Sequence, residues 1–315
     1  MVAVDVSVVI VSWNTRELLR DCLASIFGQT GDIAFEVIVV DNDSADGSAA
    51  MVHEGFPSVI VIENTENRGF AAANNEGMAV ARGRYVLLLN PDTIVLDGAI
   101  QKTVRIAERT PNVAVLGCQV RLNEHEIQQT CFRFPSVPRI LALWTGLRRA
   151  FPRTPALGWV DYQGWDRRSA RDVDVVSGMY MLVRRAAVDE VGVMDDGYFV
   201  YAEETDWCFR FRAAGWRRVF TPEACIIHRD GGGHSASIAS VRMFVQLQKS
   251  LLRFFRRQRG VMPWVAVRLI FATAMLARSL YYGVRASRDH TDLVTKKAAQ
   301  SRAALIFHLL GTGPR

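Results

Sequence analysis

The sequence has few cysteines, and none of them form a CxxC pair. Five are present among 315 residues, at Cys22, Cys118, Cys131, Cys208 and Cys225. An odd number without short spacings excludes a disulfide framework and a zinc framework, and it is typical of reduced thiols. No internal repeat or low-complexity tract is apparent either.

Long hydrophobic runs are lacking as well. The amino terminus, MVAVDVSVVIVSWN, has no basic segment of the signal-peptide kind and carries Asp5 inside its apolar stretch, so we expect no export. Near the other end, the longest charge-free run is Leu269–Ala277, well below the ~20 residues that a spanning helix needs. These features predict a protein of the cytoplasm.

The net charge of +6 conceals an asymmetry along the chain. Residues 241–315 carry fourteen Lys or Arg against two Asp, and the excess of acids lies in 1–240. Aromatic residues in the tail suit the headgroup region of a bilayer, namely Trp264, Tyr281 and Tyr282. We predict that 241–315 is a basic amphipathic helical tail that lies on an anionic membrane, peripheral to the inner face of the plasma membrane.

The composition of the tail also fits two alternatives to membrane binding. The tail can be a helical cap on the rest of the chain or a contact between two copies. Nucleic acid is a weaker candidate, because no recognised reader motif accompanies the arginines.

Strand-like runs alternate with amphipathic helical stretches through the first half of the chain. Val6–Val11 is continuous and β-branched, as a strand buried on both faces should be. Further elements are predicted as strands at 36–40, 58–62, 85–89 and 172–183, and as helices at 16–27, 70–82 and 184–192. The alternation predicts an α/β fold with a mostly parallel sheet flanked by helices.

Polar clusters follow three of these strands. They are Ser12-Trp13-Asn14, Asp41-Asn42-Asp43 and Asn90-Pro91-Asp92. A fourth cluster, Asn67-Arg68-Gly69, opens a helix, where free backbone N–H groups attract anions. A turn would explain any one cluster. Ligands of such sheets bind beyond the carboxyl ends of the strands, so the convergence favours a nucleotide-sized ligand.

The segment 135–171 has four prolines, three tryptophans, many arginines and little periodicity. We predict a mobile insertion on the acceptor side of the site. The alternative is a surface excursion without a role.

Three acids and one histidine in the second half can carry chemistry. Glu203, Glu204 and Asp206 stand among aromatic residues at a predicted helix start, where a plain helix cap is the alternative. Two acids in aromatic surroundings suit a general base with a raised pKa. His228 ends a strand-like run and precedes glycines 231–233. An imidazole and a carboxylate together suit Mn or Mg.

Seven motifs in order resemble a known family. VIVSWN, VVDNDSADGS, ENRGFAAANN, LLLNPDT, SGMYMLVRR, YFVYAEETDWCFR and IIHRDGGGHS look like the family 2 glycosyltransferases of GT-A fold, and most like the rhamnosyltransferase-like branch. The likeness covers about residues 5–240, and it implies a glycosyltransferase domain at 1–240.

The resemblance also implies residue roles. Asp41 would hydrogen-bond the nucleotide base, and the other donor-binding residues would be Ser12, Asn14, Asn42, Asn67, Arg68 and Asn90. Asp92 and His228 would hold a divalent metal, Mn or Mg. Glu204 would be the base, with Glu203 or Asp206 beside it. Gly178 and Trp207 would lie on the acceptor side.

Two positions depart from the family pattern. Asn90 stands where many members have the first acid of Asp-x-Asp, which lowers the charge of the metal site. Glu204 replaces an aspartate and adds one methylene, so Glu203 is an alternative base.

The function implied is inverting, metal-dependent transfer of a sugar, rhamnose or another hexose. The donor would be a dTDP- or UDP-sugar, and the acceptor a lipid-linked or cell-envelope saccharide. A sugar-1-phosphate nucleotidyltransferase is a second hypothesis, although SWNTRELL is not the phosphate loop that such an enzyme needs. A non-catalytic nucleotide-sugar-binding protein is a third.

Overall fold

In the computed structural model, the first apolar run forms strand β1 (Val6–Ser12), with six of its seven residues buried. The structure describes residues 4–123, 126–146, 162, 164–229, 240–289 and 291–311. The chain divides into two compact units. Unit 1 comprises Met1–Phe134, Gly164–Phe199 and Glu203–Ser235, and unit 2 comprises Pro135–Gln163, Val200–Ala202 and Ala236–Arg315.

Most strands of unit 1 belong to one sheet. The strands after β1 are β2 (Phe35–Asp41), β3 (Ile60–Glu63), β4 (Tyr85–Leu89), β5 (Thr93–Leu96), β6 (Val113–Arg121), β7 (Cys131–Phe132), β8 (Arg171–Asp172), β9 (Val175–Val176), β10 (Tyr180–Arg184) and β11 (Arg217–His228). The order is β3-β2-β1-β4-β10-β6-β11-β5, with β8 also on β11, while β7 pairs with β9. The predicted α/β architecture is confirmed.

Strand direction determines which strand ends lie together at each edge of the sheet. β3, β2, β1 and β4 are parallel, so their carboxyl ends lie together. β10 is antiparallel to β4, and β5 is antiparallel to β11. The start of β10 therefore lies beside the end of β4, and the start of β5 lies beside the end of β11.

Helices cover the sheet and form most of unit 2. They are α1 (Arg16–Gln29), α2 (Ser48–Gly55), α3 (Gly69–Val80), α4 (Ala99–Arg109), α5 (Val137–Thr145), α6 (Arg185–Val191), α7 (Glu203–Ala213), α8 (Val241–Phe254), α9 (Val261–Ala286) and α10 (Asp292–Leu310), with a π-helix at Phe255–Arg259. α1 buries the apolar face predicted from its spacing, which includes Leu19, Leu23 and Ile26.

The prediction of one strand at 172–183 is wrong. Three short strands replace it, because β9 pairs with β7 whereas β10 pairs with β4. Gly178 lies between them, where a Cβ atom would come within 2.9 Å of Cζ of Phe70. The lack of a side chain thus allows the backbone to turn close to α3.

Unit 2 has an aromatic and polar interior. The Trp144 ring packs edge-on against Phe244 and Phe271, with centroids 5.9 and 5.2 Å away. His308 Nε2 lies 2.6 Å from Gln248 Oε1, and burial lowers the pKa of His308 to about 4.

Of the predicted insertion, residues 147–161 and 163 lie outside the described residues, as do glycines 231–233.

α9 is a 26-residue helix whose mean hydropathy of 1.5 over an 18-residue window suffices, by length and composition, to cross a membrane. Only 17% of that window is buried. The charge-free run Leu269–Ala277 is much shorter than this helix, because Arg268 and Arg278 interrupt an otherwise apolar sequence. The run therefore did not indicate that the helix is long and apolar enough to cross a membrane.

Candidate functional site

Asp41 presents an unpaired oxygen at the carboxyl edge of the sheet. Its Cα is in register with Ser12 at the end of β1. Asp41 Oδ2 accepts a hydrogen bond from Ser44 N at 2.9 Å, whereas Oδ1 is buried without a partner among the described residues. A buried acceptor left unpaired is unfavourable. Oδ1 is therefore suited to accept an N–H from a ligand, such as that of a nucleobase.

Asn42 holds the neighbouring loops together. Its Nδ2 donates to Asn67 Oδ1 at 3.3 Å and to Gly69 O at 3.2 Å, and its Oδ1 accepts from Asn64 Nδ2 at 3.0 Å. Asn67 Oδ1 also accepts from Gly69 N at 2.9 Å. These contacts bring the start of α3 to the end of β2, as the polar clusters predicted, and they give Asn42 and Asn67 a positioning role.

The other residues predicted near the nucleotide have partners of their own. Ser12 Oγ lies 2.9 Å from Thr15 Oγ1. Asn14 has a φ of 53°, and its Oδ1 accepts from Ala45 N at 2.8 Å. The Arg68 guanidinium pairs with Glu76 while remaining half-exposed. Arg68 is therefore open to solvent, whereas Asn14 shapes its loop.

Asp92 and His228 meet at the ends of two paired strands. His228 is opposite Thr93 in the antiparallel β5–β11 ladder, and Arg229 N donates to Asp92 O at 2.8 Å. This pairing places His228 Nε2 3.1 Å from Asp92 Oδ2. The His228 side chain is 2% exposed and that of Asp92 13%. Residues 136 positions apart in the sequence are thus in contact.

Gln128 fixes the orientation of the imidazole. Its Oε1 lies 3.0 Å from His228 Nδ1. Since an amide oxygen only accepts, Nδ1 must carry the proton and Nε2 has a lone pair in the neutral ring. That lone pair faces the Asp92 carboxylate. Two acceptors repel each other at 3.1 Å unless a proton or a metal cation lies between them.

This arrangement fits a divalent cation. Asp92 Oδ1 is also buried without a partner among the described residues. Imidazole nitrogen with carboxylate oxygen is a ligand set suited to Mn²⁺ and similar ions. The described part of the chain has no group of three or more His, Cys, Asp or Glu suited to a metal. Further ligands would then be oxygens of a bound molecule or water.

Asn90 forms the turn that brings Asp92 to this position. Asn90 N donates to Met179 O at 3.1 Å, and Asn90 O accepts from Thr93 Oγ1 at 2.7 Å. The backbone of Asn90 is thus tied to the segment before β10 and to the first residue of β5. The turn residues have a structural purpose in addition to any contact with a ligand.

Glu203 and Glu204 begin α7 after a strained turn. Tyr201 and Ala202 have φ values of 70° and 66°, which are unusual for residues with a Cβ. Burial raises the pKa of Glu204 to about 6. Burial and the adjacent Glu204 carboxylate raise the pKa of Glu203 well above its usual range. The Oε2 atom of each glutamate has no hydrogen-bond partner among the described residues. Such carboxyl groups suit proton transfer.

Asp206 and Trp207 are both buried and hydrogen-bonded to neighbouring residues. Asp206 is 1% exposed and accepts from Arg210 Nε at 2.9 Å and from Tyr198 OH at 3.4 Å. Trp207 is fully buried, and its Nε1 donates to Gly192 O at 2.8 Å. These contacts favour a role in fixing α7 over direct contact with a substrate.

A backbone contact connects Phe199 to the start of α3. Phe70 N donates to Phe199 O at 2.7 Å. A Cβ on Gly69 would lie 2.3 Å from that same oxygen, so only glycine permits the contact. Phe70 also packs by Gly178. The start of α3, the turn before β10 and Phe199 therefore lie close together.

Comparison with known proteins gives the family. A model described as Glycosyl transferase family 2 matches residues 7–192. The chain belongs to glycosyltransferase family 2. This confirms the resemblance drawn from the motifs and makes the protein a hexosyl-transferring enzyme.

This family 2 enzyme has characterised relatives. It is 30% identical over 250 residues to the N-acetylglucosaminyl-diphospho-decaprenol L-rhamnosyltransferase of Mycobacterium tuberculosis, a match that spans 73% of this chain and 80% of the relative. It is 27% identical over 133 residues to a poly(ribitol-phosphate) beta-glucosyltransferase of Bacillus spizizenii, a match that spans 41% of this chain and 21% of that protein.

A solved structure supports the fold of this glycosyltransferase. A mannosyltransferase of Pyrobaculum calidifontis, in complex with GDP-Man and Mn²⁺, superposes with a TM-score of 0.57 at 19% identity. The match covers 98% of this chain and 87% of the other. It shows a common architecture.

Proposed function

We propose that this enzyme transfers a sugar with inversion from a nucleoside diphosphate donor to a lipid-linked saccharide, with a divalent metal. The observation that carries the proposal is the contact of Asp92 with His228, in which Oδ2 and Nε2 face each other 3.1 Å apart while Asp92 Oδ1 is buried without a partner among the described residues. The unpaired Asp41 Oδ1, which would accept a hydrogen bond from the nucleobase, supports the same proposal.

The donor we infer is dTDP-rhamnose or a related dTDP- or UDP-hexose. Asp41 Oδ1 would accept the N–H that a thymine or uracil base offers. Arg68 would leave Glu76 to contact the diphosphate near the start of α3, where the helix dipole favours negative charge. The rhamnosyl preference rests on the mycobacterial relative, which is named a rhamnosyltransferase.

Asp92 and His228 would hold the metal, and the donor diphosphate would complete its ligands. The ion would supply neutralisation of the charge on the departing nucleoside diphosphate. Asn90 in place of an acid leaves one fewer negative charge at this position. By accepting from Nδ1, Gln128 would leave the Nε2 lone pair of the neutral imidazole available to the ion.

Glu204 would act as the base. The acceptor hydroxyl oxygen forms a bond to the anomeric carbon while the bond from that carbon to the diphosphate oxygen breaks. The hydroxyl proton moves to Glu204, and the electron pair leaves with the nucleoside diphosphate. Because attack comes from the side opposite the leaving group, the anomeric configuration inverts.

The acceptor we infer is a saccharide on a polyprenyl diphosphate at the cytoplasmic side of the plasma membrane. The mycobacterial relative is named for an acceptor of this kind. The basic tail, with fourteen Lys or Arg, would keep the enzyme at that surface. Gly178 would border the acceptor.

A two-stage experiment tests this function. The protein is first screened by thermal shift against dTDP-, UDP- and GDP-sugars with and without Mn²⁺ or Mg²⁺, since a ligand at 100 Kd adds about 2.7 kcal/mol of stability. The stabilising donor is then incubated with N-acetylglucosaminyl-diphospho-polyprenol. We expect metal-dependent transfer and an inverted linkage by NMR. Donor binding without turnover would favour a non-catalytic binding protein. Conversion of the donor with added pyrophosphate into a nucleoside triphosphate and a sugar 1-phosphate would favour nucleotidyl transfer.

A change at Gln128 should weaken metal binding. In Gln128→Ala the imidazole loses the acceptor that fixes its Nδ1 proton, and such outer-shell losses cost about 10–100-fold in metal affinity. Titration of Mn²⁺ into protein with nucleoside diphosphate measures this by calorimetry. Gln128→Glu retains an acceptor and should bind within a few-fold of wild type. Equal affinity in Gln128→Ala would contradict the orienting role.

A further inference from the structure

Six apolar side chains form a continuous stripe along one face of α9. They are all exposed, with Met262 at 80%, Leu269 at 61% and Leu280 at 64%, and the others are Val265, Leu276 and Val284. At 100° per residue they fall within an arc of about 100°. The stripe extends over ~33 Å at 1.5 Å per residue.

The opposite face of α9 is packed inside unit 2. Val267, Phe271 and Met275 are fully buried. Arg268 Nη2 donates to His308 O at 2.8 Å, and the Arg278 guanidinium lies 5.9 Å from the centre of the Phe244 ring. The helix is therefore already held along one side by α8 and α10.

Exposed basic groups stand at both ends of the stripe. Arg256 and Arg257 precede α9, and Arg285 and Arg288 follow Val284. Arg285 lies 3.6 Å from Asp289, which offsets part of this charge. An apolar surface bounded by cations at each end complements a bilayer whose headgroups are anionic.

We propose that the Met262–Val284 stripe inserts into the headgroup–acyl boundary of an anionic phospholipid bilayer, with α9 parallel to the membrane plane. The arginines at its ends contact lipid phosphates. The inference rests on the proposed function and deepens it by naming the surface that attaches the enzyme to the membrane.

The packing of α9 argues against a membrane-crossing orientation, although its length and hydropathy would permit one. Crossing would carry the helices attached to its buried face into the hydrocarbon layer. Lys249 on α8 and Lys296 on α10 are charged, and burying such groups in lipid is costly. A helix in the plane keeps them in water while its apolar face leaves water.

Vesicle sedimentation without any donor tests the proposal. The wild-type chain should bind phosphatidylglycerol-containing vesicles, bind phosphatidylcholine vesicles on the order of tenfold less, and dissociate as salt rises. Leu269→Asp/Leu280→Asp should lose at least tenfold in binding with an unchanged melting temperature, because both side chains are exposed. Arg285→Gln/Arg288→Gln should bind less and show a smaller salt dependence. Val193→Asp, at an exposed apolar position of unit 1, is the matched control and should bind like wild type.

Three outcomes would overturn the proposal. The first is undiminished vesicle binding by the double aspartate variant. The second is a wild-type dimer in light scattering that this variant dissociates, without vesicle binding, which would assign the stripe to a second copy. The third is retention in membranes after alkaline carbonate, which would indicate crossing. Because binding is scored without donor, a failure here is distinct from failure of sugar transfer.

Discussion

Glu204→Gln is expected to slow sugar transfer by roughly 10²–10⁴-fold, the usual contribution of a general base. The amide has nearly the same shape but cannot take the acceptor proton. Single-turnover measurements with saturating donor and acceptor would show the loss in the chemical step. Binding of donor should remain, since Asp41 and Arg68 are unchanged.

The pH profile provides a second measurement of the same residue. With a pKa of about 6 for Glu204, the base is protonated below that pH, so the rate should rise as pH increases and level off above it. Glu204→Asp should retain more activity than Glu204→Gln, since a base is still present.

Stability separates a lost base from a lost fold. The folded-state pKa of Glu204 is raised above its ordinary 4.5, so the wild-type fold loses stability as pH rises from 4.5 through about 6. Glu204→Gln should therefore melt no lower than wild type at a pH well above that range. If Glu203→Gln abolished transfer and Glu204→Gln did not, Glu203 would be the base.

Asp92→Ala should reduce metal-dependent transfer by about 10³-fold, in line with the several kcal/mol that a metal ion contributes as a Lewis acid. The substitution removes both the oxygen facing His228 Nε2 and the buried Oδ1. Transfer rates at increasing Mn²⁺ concentration give the change in rate and in metal affinity. Asp189→Ala, an exposed carboxylate on α6, is the control and should behave as wild type.

A double mutant distinguishes a common ion from two separate contributions. If Asp92 and His228 hold one cation, Asp92→Ala/His228→Ala should be little worse than Asp92→Ala alone. Additive losses would show that the two side chains act independently. A fully active Asp92→Ala enzyme would show that transfer needs no cation at this position.

Much of the sheet edge was predictable because one rule covers it. Parallel strands bring their carboxyl ends together, so Asp41 and Asn42 were expected beside the start of α3 from the order of strands and polar clusters alone. The hydrogen bonds of Asn42 now explain how these loops are joined.

The contacts that depend on antiparallel pairing were not derivable in this way. The register of β5 with β11 brings His228 to Asp92, and only the family resemblance suggested that they meet. Gln128 carries no distinguishing sequence signal, since it is 100 residues from His228. The wrong strand at 172–183 has a similar cause: its apolar residues pair with two different partners, which periodicity does not reveal.

The β5–β11 ladder also restricts how this chain can change. Side chains of a strand alternate between faces, so a one-residue shift in the register of β11 would turn the imidazole to the far side of the sheet. The same shift in β5 would displace the Asp92 carboxylate from the imidazole. Loops elsewhere can lengthen without disturbing the imidazole–carboxylate contact. Length variation among descendants of this enzyme should therefore spare both strands, even where the amino acids themselves diverge.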